Sequence, residues 1–370
     1  MLDLSNKSIG RFGLIMVLLA VLVGGCRKEI LHEVGVIDAT ENLSEPVPDN
    51  GTWEKIDFEI TGLKTLAIHN HLLYIGGSFT EEEVGFDFLA KFDGQTVSAG
   101  VPGSFFGFDV SALQTFEGSL YIGGDFSYLD FPNSCDNIFV LRNSSNEYYE
   151  FGGFAPDITG FIRSNSGVLV FGGFNNSHQT VQTSYTDRLV NGYAQGFYTG
   201  ANGPLQSRIN DVELFNGKLY FAGEGEIYPG VIGVGKWSGA SMDGLNISSL
   251  VSPFDNYAES LAGFNDELYY SGRTFDGGTG VYKDTDWDGW VQVPQLSWFG
   301  ATPSVLYVHD DYMYLAGSGI TLYGVTRSNV IRFDGSTWSH VGEIKTAVHD
   351  LAVYKGRLYA AGADGLYQLN

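Results

Sequence analysis

Cysteine is almost missing from this chain: 370 residues contain two, Cys26 and Cys135. A disulfide framework is therefore excluded as the basis of the fold. Cys135 stands in Phe131-Pro132-Asn133-Ser134-Cys135-Asp136 with no neighbouring His or cation to depress its pKa, and reads as a bystander loop thiol. Basic tracts are missing too. Twenty Lys and Arg stand against forty-three Asp and Glu, a formal net charge of −23, and a surface of that sign repels phosphate backbones, so nucleic acid is excluded as a partner. Methionine is scarce, with four, whereas Gly reaches fifty, Phe twenty-six and Tyr twenty-one. That balance is poor in good helix formers and rich in turn and strand formers, and it predicts an all-β class.

The longest apolar run, Phe12 to Val23, is too short to cross a bilayer comfortably. It follows Lys7 and Arg11 and ends at Val23-Gly24-Gly25-Cys26, which reads as a signal peptide over residues 1–25. A cysteine closing such a segment resembles the lipobox of bacterial lipoproteins. That resemblance implies a Cys26 acylated on sulfur, which becomes the mature N-terminus and holds the chain on a membrane without a spanning helix. Arg27 stands where an Asp would resemble an inner-membrane retention signal, so outer-membrane placement is expected. Residues 26–50 are polar, aperiodic and carry Pro46 and Pro48, the composition of a flexible tether reaching about 25–30 Å.

From residue 51 onward one phrase recurs: apolar, aromatic or apolar, apolar, small, Gly. It appears seven times, beginning at Leu73, Leu120, Leu169, Leu219, Leu268, Met313 and Leu358. The closing glycines, Gly77, Gly124, Gly173, Gly223, Gly272, Gly317 and Gly362, are 45 to 50 residues apart. Such a period suits a four-stranded propeller blade. Tight-turn pairs precede the phrase, as in Asn216-Gly217 and Lys355-Gly356, so an inner strand and the phrase form a hairpin. A third strand, an Asp-Gly turn and a fourth strand follow, clearest from Asn329 through Asp334-Gly335 to Trp338 and Val341. The small residues ending the phrase are expected to let neighbouring blades approach closely.

The two ends complete each other. After Gly362 only one more strand fits, while Gly51 to Phe58 reads as an orphan fourth strand with Trp53 in the place of Trp338. The expected fold is a seven-bladed β-propeller of antiparallel four-stranded blades over residues 51–370, closed by the N-terminal strand joining the last blade. Small pairs ending the second strand, an aromatic-Asp turn and a Trp on the fourth resemble Kelch-type propellers and the central domain of galactose oxidase. No residues match a copper-binding constellation of the latter kind, and no cofactor is expected from the resemblance.

Loops leaving one end of the blades are the longest and carry aromatics, among them Phe106, Phe108, Tyr228, Phe254, Tyr257, Trp298, Phe299 and Tyr323. Rings there either form a platform for a sugar or protein or cap the core; both readings stay open. Counting twelve back from each closing glycine reaches Thr65, Ala112, Asp211, Ser260, Val305 and Asp350, with the third blade falling near Gly160. Asp211 and Asp350 are thereby expected near the channel mouth, as a cation-binding or acid/base pair or as lining of a wet channel. His69 and His309, eight back from the glycine, share a position held elsewhere by aromatics and read as packing residues. Asp284-Thr285-Asp286-Trp287-Asp288-Gly289 matches the first half of a calcium loop, with Asp284, Asp286 and Asp288 as ligands, but its twelfth position is Gln295, and an acidic hairpin turn is the competing reading. The pattern favours a membrane-anchored, non-catalytic binding or scaffold module for a glycan or protein partner. Its rival is an envelope lyase or glycoside hydrolase on the same fold.

Overall fold

The computed structural model describes residues 51–370, apart from 59, 81–85, 102–103, 131–132, 143–156, 165–166, 179–180, 191–192, 197–204, 206, 238–241, 246–256, 274–278, 285–289, 294–295, 298–301 and 326–327. The signal segment, Cys26 and the tether lie outside the described residues. All described residues belong to one unit, Thr40–Asn370, and no helix occurs among them.

Each phrase is the second strand of an antiparallel sheet. In the first sheet the strands are Leu63–His69, Leu72–Gly77, Leu89–Phe92 and Val97–Ala99. The hairpin between the first two turns on Asn70 and His71, both at positive φ (51° and 59°), and Asn216 with Gly217 (50° and 72°) does the same in the fourth sheet. Two successive positive φ values define the mirror-image turn whose twist matches the strands, which is why Asn, Asp and Gly recur there. The Asp-Gly turn joining third and fourth strands is held by the aspartate itself. Asp93 Oδ1 accepts the N–H groups of Gln95 at 2.8 Å and Thr96 at 2.7 Å, and Asp334 Oδ1 those of Ser336 and Thr337, both at 2.7 Å. These bonds hold both carboxyls below the usual range.

Among the described residues the phrase hairpins follow in chain order, with inner strands Leu63–His69, Ser104–Phe116, Ile158–Ser164, Ile209–Phe215, Tyr257–Phe264, Thr302–His309 and Val348–Tyr354. The second sheet has three described strands, the fourth and fifth are joined into one eight-stranded sheet, and a two-stranded pair, Leu296–Ser297 with Thr321–Leu322, stands apart. Each inner strand packs against the next, and the last packs against the first. The outer strand of the seventh sheet is Trp53–Lys55, antiparallel to Gly365–Leu369 with Trp53 opposite Leu369 and Lys55 opposite Tyr367. The chain is a β-propeller.

Its core is divided into wedges, one between each pair of neighbouring sheets. Leu73, Ile75 and Phe92 of the first sheet meet Tyr354, Tyr359 and Leu366 of the last, and Val330 and Val341 of the sixth meet Leu351, Leu369 and Trp53 of the seventh. Burial of each such side chain contributes about 1.5–3 kcal/mol, so every sheet depends on both neighbours. Trp53, Trp290 and Trp338 open the outer strands of three consecutive sheets and are all buried. Trp53 Nε1 also donates to Val341 O at 2.7 Å. The closing strand is thereby tied to the sixth sheet as well as the seventh.

Candidate functional site at the channel mouth

One irregularity recurs in every sheet. In six sheets the inner strand bulges one residue before the position opposite the small residue of the phrase, as where Leu63 pairs with Gly77 but Thr65 with Gly76, leaving Lys64 unpaired. In the third the bulge falls one position further along, between Ile158 opposite Gly172 and Gly160 opposite Phe171. Ser111, Thr159, Asn210, Glu259, Ser304 and His349 are the corresponding extra residues in the other six sheets. A bulge re-aims its side chain. The bulge also gives the phrase glycine its reason. A Cβ on Gly124 would lie 2.3 Å from Asp109 O, on Gly223 2.3 Å from Arg208 O, and on Gly272 2.2 Å from Tyr257 O. The small residue before it does face the neighbouring sheet, as expected, since a Cβ on Gly76 would meet Val110 Cγ1 at 2.7 Å. The final glycine instead accommodates its own inner strand.

Several bulge residues reach across to the next sheet. Ser111 Oγ donates to Ile158 O at 2.6 Å, Thr159 Oγ1 to Ile209 O at 2.6 Å, and Asn210 Nδ2 to Ala258 O at 2.9 Å. Lys64 makes a close ion pair with Asp109 of the second sheet. Asp211 and Asp350, the residues the sequence singled out, follow the bulge and also clasp the next sheet. Asp211 Oδ2 accepts Ser260 Oγ–H at 2.9 Å and Leu261 N–H at 2.7 Å, while Oδ1 accepts Val212 N–H at 2.8 Å. Asp350 accepts Leu66 N–H and Leu351 N–H, both at 2.7 Å. Burial pushes both carboxyls up, Asp350 to about 6, against those hydrogen bonds; Asp211 adds its charge to the effect on Asp350. Glu213, two residues along the same strand, is pushed up to about 8 by burial and by the charge of Asp211, and accepts Gly263 N–H at 3.3 Å. The two aspartates are acceptors built into the joints between sheets.

The mouth itself is charged. Arg208 enters the fourth inner strand and donates from Nη1 to Asp157 Oδ2 at 2.7 Å and from Nε to Asn210 Oδ1 at 3.1 Å; Glu224 Oε1 lies 4.0 Å from its Nε. Glu224 is also the residue that pairs with Tyr257, joining the fourth and fifth sheets through the backbone. Tyr257 is hydrogen-bonded to Glu259. Burial raises Glu259 to about 7, opposed by that bond and by Arg208, and burial raises Tyr257 as well. Among the described residues, Tyr257 is the expected aromatic that the structure brings to the charged cluster.

Tyr228 belongs to the packing reading. It is 2% exposed and sits in the wedge between third and fourth sheets with Leu205 and Met242, because it ends the long strand Lys218–Tyr228 instead of lying in a loop. Phe254, Trp298, Phe299, Asp286 and Asp288 lie outside the described residues, as does the side chain of Phe106. Asp284 ends the third strand of the fifth sheet and pairs with Trp290; among the described residues no group of three His, Cys, Asp or Glu side chains is arranged to hold a metal ion. His69 packs edge-on against Tyr74, and His309 stacks on Tyr307. Phe108 and Tyr323 are 73% and 62% exposed. Phe108 is the extra residue of a second irregularity in the second inner strand, between Gly107 and Asp109, and Tyr323 follows the end of the sixth sheet's second strand at Ser318. Inner strands start where second strands end, so both rings stand at the mouth end. The sequence missed the bulge ring, although a polar residue thirteen before six of the seven phrase glycines was a signal that could have found it.

No family model matches the chain, and no curated protein matches it. Solved structures do resemble it. The computationally designed Ika8 protein is 10% identical, with TM-score 0.52 over 85% of this chain and 98% of that one. Virginiamycin B lyase from Staphylococcus aureus is 11% identical, with TM-score 0.50 over 86% and 98%. The β-propeller domain of Myceliophteria thermophila Cps50 (Swd1) is 10% identical, with TM-score 0.49 over 87% and 99%. At such identity the likeness concerns the fold alone.

Proposed function

We propose that the protein is a lipid-anchored, Kelch-like propeller of the outer membrane that binds or scaffolds without catalysis, presenting its mouth end to a glycan or protein partner. The observation that carries this reading is the commitment of the channel aspartates. Asp211 and Asp350 each hold main-chain N–H groups on two sheets, so neither is a loose carboxylate waiting for a substrate proton. The exposed Phe108 and Tyr323 supply rigid contact surface at the same end, and Cys26 supplies the anchor.

A glycan-array screen coupled to a reducing-sugar assay tests this reading. Binding without product release is expected. Turnover of any polymer would transfer the protein to the envelope enzymes.

A further inference from the structure

The ring of bulge residues divides into two arcs. In the first four sheets Lys64, Ser111, Thr159 and Asn210 are spent on the next sheet. In the last three sheets the joint is made deeper along the strand. Ser260 Oγ accepts Leu306 N–H at 3.1 Å, Tyr307 accepts Val353 N–H on its hydroxyl at 3.1 Å, and Asp350 accepts Leu66 N–H at 2.7 Å. Asp211 makes such a joint in the fourth sheet beside the clasp of Asn210, but in the last three sheets Glu259, Ser304 and His349 take no part in a joint among the described residues. The three occupy one register position on consecutive inner strands that pack side by side. Among the described residues neither Ser304 nor His349 has a hydrogen bond, and Glu259 has the Tyr257 hydroxyl. His349 is exposed.

The chemistry of this arc selects its ligand. Cations stand at both ends, Lys64 beside His349 and Arg208 beside Glu259, but each is already paired, with Asp109 and Asp157 respectively. A further cation, Arg273, stands opposite Tyr257 and acts on Glu259 itself, so an anion would have to compete with Glu259 for it and would meet Glu224 as well. A metal ion lacks a set of three donors among the described residues. A hydroxyl, an imidazole and a carboxylate–phenol pair can each exchange hydrogen bonds with groups that both donate and accept. Sugar hydroxyls are such groups.

We infer that Glu259, Ser304 and His349, with Tyr257, form the recognition site for a neutral saccharide unit at the channel mouth. The inference rests on the binding reading above and names the ligand class and the arc that holds it.

The test uses the full chain in detergent micelles and, as probes, maltohexaose, cellohexaose, xylohexaose and mannohexaose, with binding measured by calorimetry and saturation-transfer NMR. At least one probe is expected to bind, and the Ser304→Ala/His349→Ala double variant to weaken it at least tenfold, with Glu259→Gln weakening it separately. Thermal melts on every variant show that each is folded. Binding that survives the double substitution overturns the assignment of this arc and leaves the binding propeller standing. If none of the four binds while inorganic phosphate or spermidine does, the neutral-saccharide class is overturned; if nothing binds, the glycan reading falls with it.

Discussion

Asp350, in the inner strand of the last sheet, accepts the main-chain N–H of Leu66 in the first at 2.7 Å, across 284 positions of sequence. Asp211 does the same for Leu261 between the fourth and fifth sheets. Polar side chains at or near the bulges, from Asp211 and Asp350 to Ser260 and Tyr307, thus join packed sheets by hydrogen bonds. The joint at Asp350 closes the ring together with Tyr354 Oη, which donates to His71 O at 2.7 Å. Asp350→Ala leaves Leu66 N–H and Leu351 N–H without their acceptor, at a cost of about 1–3 kcal/mol for each buried donor left unmade. Urea denaturation should show a lowered midpoint, and Asp350→Asn, which keeps an acceptor oxygen, should recover part of the loss.

Closure by the N-terminal strand makes a second prediction. Trp53 fills the wedge between the sixth and seventh sheets and donates to Val341 O, so Trp53→Ala should cost about 3–5 kcal/mol. Deleting Gly51 to Phe58 should abolish the cooperative melt altogether. A native-like melt in that deletion would mean that the seventh sheet is complete without Trp53–Lys55.

The phrase glycines predict a steric effect. A Cβ at Gly272 would stand 2.2 Å from Tyr257 O, a backbone atom that cannot swing aside. Gly272→Ala should therefore destabilise by more than the roughly 1 kcal/mol typical of point substitutions, while Ala316→Gly, at the preceding phrase position of the sixth sheet, introduces no clash. Thermal melts of the pair separate the two positions.

The buried acids set a pH dependence. Folded-state pKa values raised to about 8 for Glu213, about 7 for Glu259 and about 6 for Asp350 mean that the native state binds more protons than the unfolded chain above pH 4. Their contribution to stability is present at low pH and is lost as pH rises through those values. His69, lowered to about 4 by burial, works in the opposite sense between pH 4 and its ordinary value near 6.5. Above that value only the carboxyls remain. The melting temperature should fall between pH 6.5 and 8.5, and Glu213→Gln should flatten that fall.

Much of this architecture was legible in the chain. The seven phrases are the seven second strands, Asn216-Gly217 and Asp334-Gly335 are turns of the expected kinds, and Trp53 lies opposite Leu369 where an orphan outer strand belonged. The roles of Asp211 and Asp350 were not legible, because the N–H groups they accept lie 50 and 284 positions away. Counting twelve back landed on the residue after the bulge for six of the seven glycines. The bulge is a property of pairing, so Glu259, Ser304 and His349 became a set only once the register was known. Tyr228 misled for a related reason, since its strand runs on past the phrase glycine and buries the ring.

The division of the bulge ring into a clasping arc and an open arc is tested most directly by thermal melts of five single variants. Ser111→Ala, Thr159→Val and Asn210→Ala remove inter-sheet hydrogen bonds and should each lower stability by about 0.5–1.5 kcal/mol. Ser304→Ala and His349→Ala should stay within about 0.5 kcal/mol of the parent. Equal losses at all five positions would contradict the division.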